Sequence, residues 1–121
     1  SRFKVFGGDF FTDRLPVGAD CVTLVRVLYD HGDDNAIRLL RNIHASLEPG
    51  ATLLVAEPMA GDAPAERLVG AYFSIYLLAM GSGKCRTADE IAELLRTAGF
   101  SGFSKIKTSQ PLYTGLIVAR A

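Results

Sequence analysis

Cysteine is scarce in this chain, which holds only Cys21 and Cys85. Two cysteines cannot build the disulfide framework of a small secreted domain or close a four-ligand zinc site. They read as reduced thiols of a cytoplasmic protein, with Cys21 expected in the core and Cys85 lacking a base partner in sequence. Net charge is missing as well. The 13 Lys and Arg balance 13 Asp and Glu, which removes the electrostatic case for nucleic acid or an acidic membrane surface. No apolar run suits a bilayer, since the longest, residues 68–80, is too short and too often interrupted. The opening SRFKVFGG lacks the pattern of a signal peptide, and internal repeats and low-complexity segments are absent. What remains is 121 residues, 49% hydrophobic, which is one compact domain or a piece of something larger.

Residues 2–6 read as a short strand ending at Gly7-Gly8. Residues 21–28 (CVTLVRVL) are β-branched and nearly continuously apolar, the pattern of a parallel strand buried on both faces. The polar turn Tyr29-Asp30-His31-Gly32-Asp33-Asp34 follows, and Asp33 or Asp34 is placed to cap a helix. That helix carries the stripe Ala36, Leu40, Ile43 and Leu47, with Ile37 alongside, and stops at Glu48-Pro49-Gly50. Residues 51–56 form a second buried strand, ended by Glu57-Pro58. Residues 65–80 are helical and apolar on almost every side, so this helix calls for more than one covering neighbour. Thr87-Ala88-Asp89-Glu90 is a capping box for a helix with Ile91, Leu94, Leu95 and Ala98 inward and Gly99 as its stop. Residues 101–108 and 112–119 read as an antiparallel hairpin turning at Ser109-Gln110-Pro111. The order strand–strand–helix–strand–helix–helix–strand–strand predicts an α/β fold with a mainly parallel sheet.

Three blocks carry a resemblance. The first is Gly7-Gly8-Asp9-Phe10-Phe11 with Ala19-Asp20 and a strand ending Val27-Leu28-Tyr29-Asp30. The second is Pro49-Gly50 with Leu53-Leu54-Val55-Ala56-Glu57, and the third is Lys84-Cys85-Arg86-Thr87 before a helix ending Ala98-Gly99-Phe100. Together they resemble the C-terminal half of the S-adenosylmethionine-dependent small-molecule O-methyltransferases. The wording Arg26-Val27-Leu28-Tyr29-Asp30-His31, Glu57-Pro58-Met59 and Ala79-Met80-Gly81 is most similar to the bacterial carotenoid branch, the hydroxyneurosporene O-methyltransferases. The resemblance implies that residues 1–121 are the C-terminal part of a Rossmann-like class I methyltransferase sheet. The family's glycine-rich cofactor loop and N-terminal dimerisation domain are not among these residues. In the family's strand order, 3-2-1-4-5-7-6, residues 2–6 would have lost their neighbour, and they are expected to be displaced, disordered or paired with another chain.

The resemblance also implies roles. S-adenosylmethionine is the implied cofactor, with Gly8, Asp9 and Phe10 around the adenine and Val25 and Arg26 beside it where the strand passes. The alternatives are a plain loop and plain sheet residues. Tyr29 occupies the position of the family's histidine base. An unperturbed tyrosine, pKa about 10, is a poor base at neutral pH but can orient a hydroxyl. His31 titrates in the useful range and lies two residues on, so the base is Tyr29, His31 or neither. Asp30 matches a position facing the substrate, or it caps the following helix. Glu57 matches a carboxylate that orients the base, or it is a solvated strand end. Tyr72, Phe73, Tyr76 and Met80 match the acceptor wall, or they are simple core. Arg41, Lys84 and Arg86 read as surface charge, and His44 as a structural or exposed helix residue.

No metal-ligand cluster appears in the sequence, and methyl transfer from a sulfonium needs none. The implied acceptor is an apolar hydroxylated small molecule, a hydroxylated carotenoid in the branch named, handled by a cytoplasmic homodimer without a membrane segment. The isolated 121 residues are expected to be inactive. A second reading stays open: a non-catalytic methyltransferase-like module that dimerises through its apolar helix and the orphan strand of residues 2–6.

Overall fold

The computed structural model describes residues 2–110 and 114–121. One four-stranded sheet runs in the order β1-β2-β4-β3. Its strands are β1 (Cys21–Val25), β2 (Thr52–Glu57), β3 (Ser101–Ile106) and β4 (Gly115–Arg120). The helices are α1 (Asp33–Ser46), α2 (Pro64–Met80) and α3 (Ala88–Ala98), and a single 3-10 turn, Leu28–Asp30, follows β1. β1 and β2 pair in parallel, from Cys21 opposite Thr52 to Val25 opposite Ala56. β4 is antiparallel to both β2 and β3. The α/β class and the antiparallel hairpin are as expected, but the sheet is not mainly parallel: among the described residues only β1 and β2 pair in parallel, because β4 runs against both its neighbours; the Pro111 turn and Leu112 lie outside the described residues.

The helix boundaries follow local chemistry. Glu90 N–H donates to Thr87 Oγ1 at 3.2 Å, while Thr87 N–H donates to the Glu90 carboxylate at 2.9 Å. This satisfies orphan donors reciprocally at the start of α3. Gly99 ends the helix at φ 108°, a left-handed conformation suited to glycine. α1 differs from expectation at its start. Its N-cap is Gly32, with no side-chain cap, and Asp33 and Asp34 lie in the first turn. Their charge still suits the helix's positive end.

The main core lies between one face of the sheet and the pair α1–α3. Leu24, Leu53, Val55, Ile117 and Ala119 meet Ala36, Leu39, Leu40, Ile43, Ile91, Leu94, Leu95 and Ala98 there. All four expected α3 positions are buried. His44 sets its ring edge-on to Phe100 at 4.9 Å, a structural role.

Four further expectations are corrected. Residues 2–6 form no strand and are exposed, and no neighbouring strand is present for them among the described residues. β1 is not buried on both faces: it is an edge strand in which only Leu24 is buried, because helices cover one face of the sheet. Cys21, at its start, is therefore exposed rather than in the core. α2 buries only Val69 and Leu77, while Leu68, Tyr72, Ile75 and Leu78 are exposed by 64–82%. Its apolar character is real, but among the described residues it is covered on one side only. No helix of the described residues is long and apolar enough to cross a membrane.

These burials set a contrast in stability. Leu95→Ala, at a position with no exposed surface, should cost about 3 kcal/mol through lost transfer energy and a cavity. Leu78→Ala, at a position 82% exposed, should cost under about 0.5 kcal/mol. Urea denaturation of the two variants checks the difference.

Candidate functional site

Parallel pairing brings the carboxyl ends of β1 and β2 side by side, and the candidate residues gather there. The first turn out of β1 is strained. Arg26 sits at φ 54°, a left-handed conformation unusual for a residue with a side chain. Its amide donates to the Ala56 carbonyl at 2.9 Å, and its guanidinium lies 5.6 Å from the centre of the Phe73 ring. The chain then enters the 3-10 turn, so Tyr29 folds back over the end of β2.

Glu57, the last residue of β2, is fully buried. Its Oε2 accepts the Tyr29 backbone N–H at 3.1 Å, and its Oε1 has no hydrogen-bond partner. Burial pushes its carboxyl up to about 7, against the lowering effect of the Tyr29 amide and the Arg86 charge; Asp30 adds to the rise. Glu57 is therefore not a solvated strand end. It can hold or release a proton near neutrality.

Tyr29 is buried as well. Burial, and then the Asp30 charge, raise its phenol above its ordinary value. The phenol therefore stays neutral near neutrality, able to donate or accept a hydrogen bond but not to act as a base. Its ring meets Phe73 edge-on at 5.9 Å, and Phe73 in turn meets Tyr72 at 5.1 Å and Tyr76 at 6.0 Å. Phe73 is thus the hub of the aromatic group. Tyr72, Tyr76 and Met80 remain 64%, 41% and 62% exposed. Asp30 caps no helix; its carbonyl accepts the Ser82 hydroxyl at 3.0 Å. Gly83, at φ 97°, packs so tightly that a Cβ would collide with the Tyr29 carbonyl oxygen. Cys85 is buried beside Tyr29, Val69 and Leu77. Its thiol donates to the Pro58 carbonyl at 3.7 Å, and burial raises its pKa, the state of an unreactive core thiol.

The other candidates form a second group. His31 does not join Tyr29 and Glu57. Its ring lies edge-on to Phe10 at 5.8 Å and Phe11 at 5.1 Å. The loop carrying Phe10 is closed by its own side chains. Asp9 Oδ1 accepts the Phe11 amide at 2.8 Å, and the Asp9 amide donates to Asp13 Oδ2 at 2.8 Å. Asn42 Nδ2 ties the loop to α1 through the Phe10 and Asp13 carbonyls, both at 2.8 Å. Gly8, Asp9 and Phe10 line a hollow of about 280 Å³. An exposed carboxylate and a partly exposed aromatic face there suit a purine nucleoside. Val25 is exposed at the end of β1.

Arg86 is the residue that sequence reasoning misplaced. It is 1% exposed rather than surface charge. Its guanidinium donates to Asp33 Oδ1 from Nε at 2.9 Å and from one terminal nitrogen at 2.7 Å, and to the carbonyls of His31 at 2.7 Å and Leu28 at 3.2 Å. The Arg86 pairing holds the Asp33 carboxyl below its ordinary range. The signal available in sequence was the surplus of acid at Asp30, Asp33 and Asp34, which needs a cation from elsewhere. Lys84 does stay outside, paired with Glu90 at 2.8 Å.

Comparison with known proteins matches residues 1–101 to the O-methyltransferase domain family. The chain is 46% identical over 112 residues to the demethylspheroidene O-methyltransferase of Rhodobacter capsulatus, covering 93% of this chain and 28% of that protein. It is 42% identical over 118 residues to the enzyme of the same name from Cereibacter sphaeroides, covering 98% of this chain and 31% of that protein. The chain thus spans about three-tenths of the length of these relatives. Among solved structures, human N-acetylserotonin methyltransferase in complex with S-adenosylmethionine superposes with a TM-score of 0.82 at 35% identity, over 93% of this chain and 32% of that one. Mitomycin 7-O-methyltransferase gives a TM-score of 0.84 at 29% identity, over 98% and 34%.

The buried carboxyl makes stability depend on pH with a definite sign. The folded value of Glu57 lies above its unfolded value of 4.5. Between the two the native state holds more protons, so stability falls as pH rises. The contribution is complete below pH 4.5 and is lost through about pH 7, a change of about 3 kcal/mol. Asp33, Glu66 and Glu90 are shifted down, so their contributions disappear only in more acid solution. Urea denaturation at pH 5 and pH 8 should reveal the loss in the wild type, and Glu57→Gln should flatten it.

Proposed function

We propose that this chain, which belongs to the O-methyltransferase domain family, is the C-terminal part of a catalytic domain that moves a methyl group from S-adenosylmethionine to the hydroxyl of an apolar small molecule. The observation that carries the reading is Glu57, a buried carboxylate under Tyr29 at the carboxyl ends of two parallel strands. That is where α/β folds collect their sites. The relatives named for demethylspheroidene support a hydroxylated carotenoid as the acceptor, as does a wall built from Phe73, Tyr76 and their neighbours.

The cofactor supplies an electrophilic methyl on a sulfonium, which leaves as a neutral thioether. The chain's residues do the rest. Gly8, Asp9 and Phe10, with His31 beside them, hold the adenosine end; Val25 and Arg26 border it. Tyr29 orients the acceptor hydroxyl toward the methyl carbon, which is positional catalysis. Glu57 and Asp30 border the acceptor hydroxyl, whose proton passes to water as the oxygen–methyl bond forms and the methyl–sulfur bond breaks. His31 faces Phe10 and Phe11 and serves the cofactor side in this reading. Cytoplasmic residence and a homodimer belong to the same proposal, supported by two free cysteines and by the uncovered apolar face of α2.

The test is calorimetric titration of S-adenosylmethionine into the 121-residue chain. Asp9→Ala should weaken binding about tenfold, a loss of about 1.4 kcal/mol, while Glu57→Gln should leave it unchanged. No heat of binding, or equal binding by wild type and Asp9→Ala, overturns the adenosine placement. The chain alone should not methylate a hydroxylated polyene, because the glycine-rich loop is not among its residues; measured turnover would contradict this.

A further inference from the structure

We propose that Arg86 is a positioning residue for Tyr29 and Asp30, acting through the backbone carbonyls that flank them. The geometry is specific. The guanidinium holds the Leu28 carbonyl on one side of the pair and the His31 carbonyl on the other. Two residues gripped at both ends in a 3-10 turn have little freedom left, so the Tyr29 amide is presented to Glu57. The same arginine offers its own carbonyl to the Ala60 amide at 2.9 Å, just beyond the end of β2. One side chain and its backbone thus fasten the turn after β1, the loop after β2 and the entry to α3. Only the planar fork of an arginine can reach two carbonyls and a carboxylate at once; a lysine ammonium is a point charge on a flexible stem.

Asp33 completes the device. It takes two of the guanidinium's hydrogen bonds and sits at the partly exposed rim, with about half its side chain open to solvent. It therefore compensates the buried charge from the side where water can reach. The groups that bear on Glu57 are then Arg86, Asp30, Tyr29 and Cys85. Arg86 is the cation among them and has no hydrogen bond to Glu57; its direct partners lie on the turn. Its importance for methyl transfer rests on the functional reading above, whereas the positioning itself does not.

The experiment uses the 121-residue chain and reads amide hydrogen exchange together with Glu57 titration. The latter is followed by carbon-13 NMR of labelled glutamate, with Glu57→Gln identifying the signal. Arg86→Lys should speed exchange at Tyr29 about tenfold while amides of the β2 core, such as Leu53, stay protected. Arg86→Gln should do the same and also raise the Glu57 midpoint, because both a nearby positive charge and a donor amide are lost. Asp33→Ala keeps the arginine but removes two of its partners, and should speed Tyr29 exchange several-fold. Asp34→Ala matches the loss of charge in the same helix turn and should leave Tyr29 unchanged. Should the Arg86 variants fail to fold, Asp33→Ala against Asp34→Ala decides. Equal behaviour of those two variants, or protection lost uniformly across the sheet, overturns the proposal. Local loosening at Tyr29 in a chain that binds no S-adenosylmethionine upholds the positioning and removes the functional reading instead.

Discussion

The parallel register of β1 and β2 is the constraint on which the rest depends. Val25 lies opposite Ala56, so the chain leaving β1 emerges beside the chain leaving β2. The strained turn at Arg26 and the 3-10 turn then have only one place to fold, over Glu57. Shift the register by one residue and every side chain of β1 changes face. Leu24 would leave the core, and the Tyr29 amide would miss the carboxylate. The antiparallel pair β4–β3 contributes differently. It flanks β2 on its other side and leaves that strand's carboxyl end buried.

Among the described residues two side chains of charged type, Glu57 and Arg86, lie fully or almost fully inside this small fold, and the structure treats them differently. Arg86 is compensated in full, with its donors directed to two carbonyls and a rim carboxylate. Glu57 is not, since one oxygen accepts the Tyr29 amide and the other has no hydrogen-bond partner. Burying an uncompensated carboxylate is costly, and the outcome is a proton affinity near neutrality rather than a salt bridge. Had the guanidinium been aimed at Glu57 directly, the carboxylate would have been held permanently charged. Aiming it at the turn instead keeps Glu57 able to change its protonation.

Much of this was legible in the sequence where local rules govern. The Thr87–Glu90 capping box, the buried stripe of α3 and the β4–β3 hairpin depend on neighbours in the chain, and they stand as read. Elements that depend on distant partners were less legible. Residues 21–28 carry the composition of a doubly buried strand, yet β1 lies at an edge. Composition records what a strand packs against in the complete fold, not which layers are present here. Arg86 could not be told from Arg41 by any periodicity, because its burial is created by carbonyls more than 50 residues away. At the site, the Tyr29 backbone amide meets the Glu57 carboxylate across 28 residues, a contact that no local rule dictates. Turn geometry alone sent His31 to the opposite side, toward Phe10 and Phe11.

The uneven cover of the two sides carries a further consequence. α2 sends Val69, Phe73 and Leu77 toward Tyr29 but leaves Leu68, Tyr72, Ile75 and Leu78 in water. Burial of an apolar face of this kind is favourable in proportion to its area. Glu57, by contrast, is already shut away from solvent by the turn and by β2 itself. Glu57 is therefore enclosed by the described residues themselves, whereas the apolar face beside it is not. On the proposed reading, proton affinity at Glu57 is a property of the chain alone. Affinity for an apolar acceptor is not, because it waits on whatever covers α2 and excludes water from Phe73 and Tyr76. Charge placement and substrate grip are thus carried by separable parts of the structure, and the first does not depend on the second.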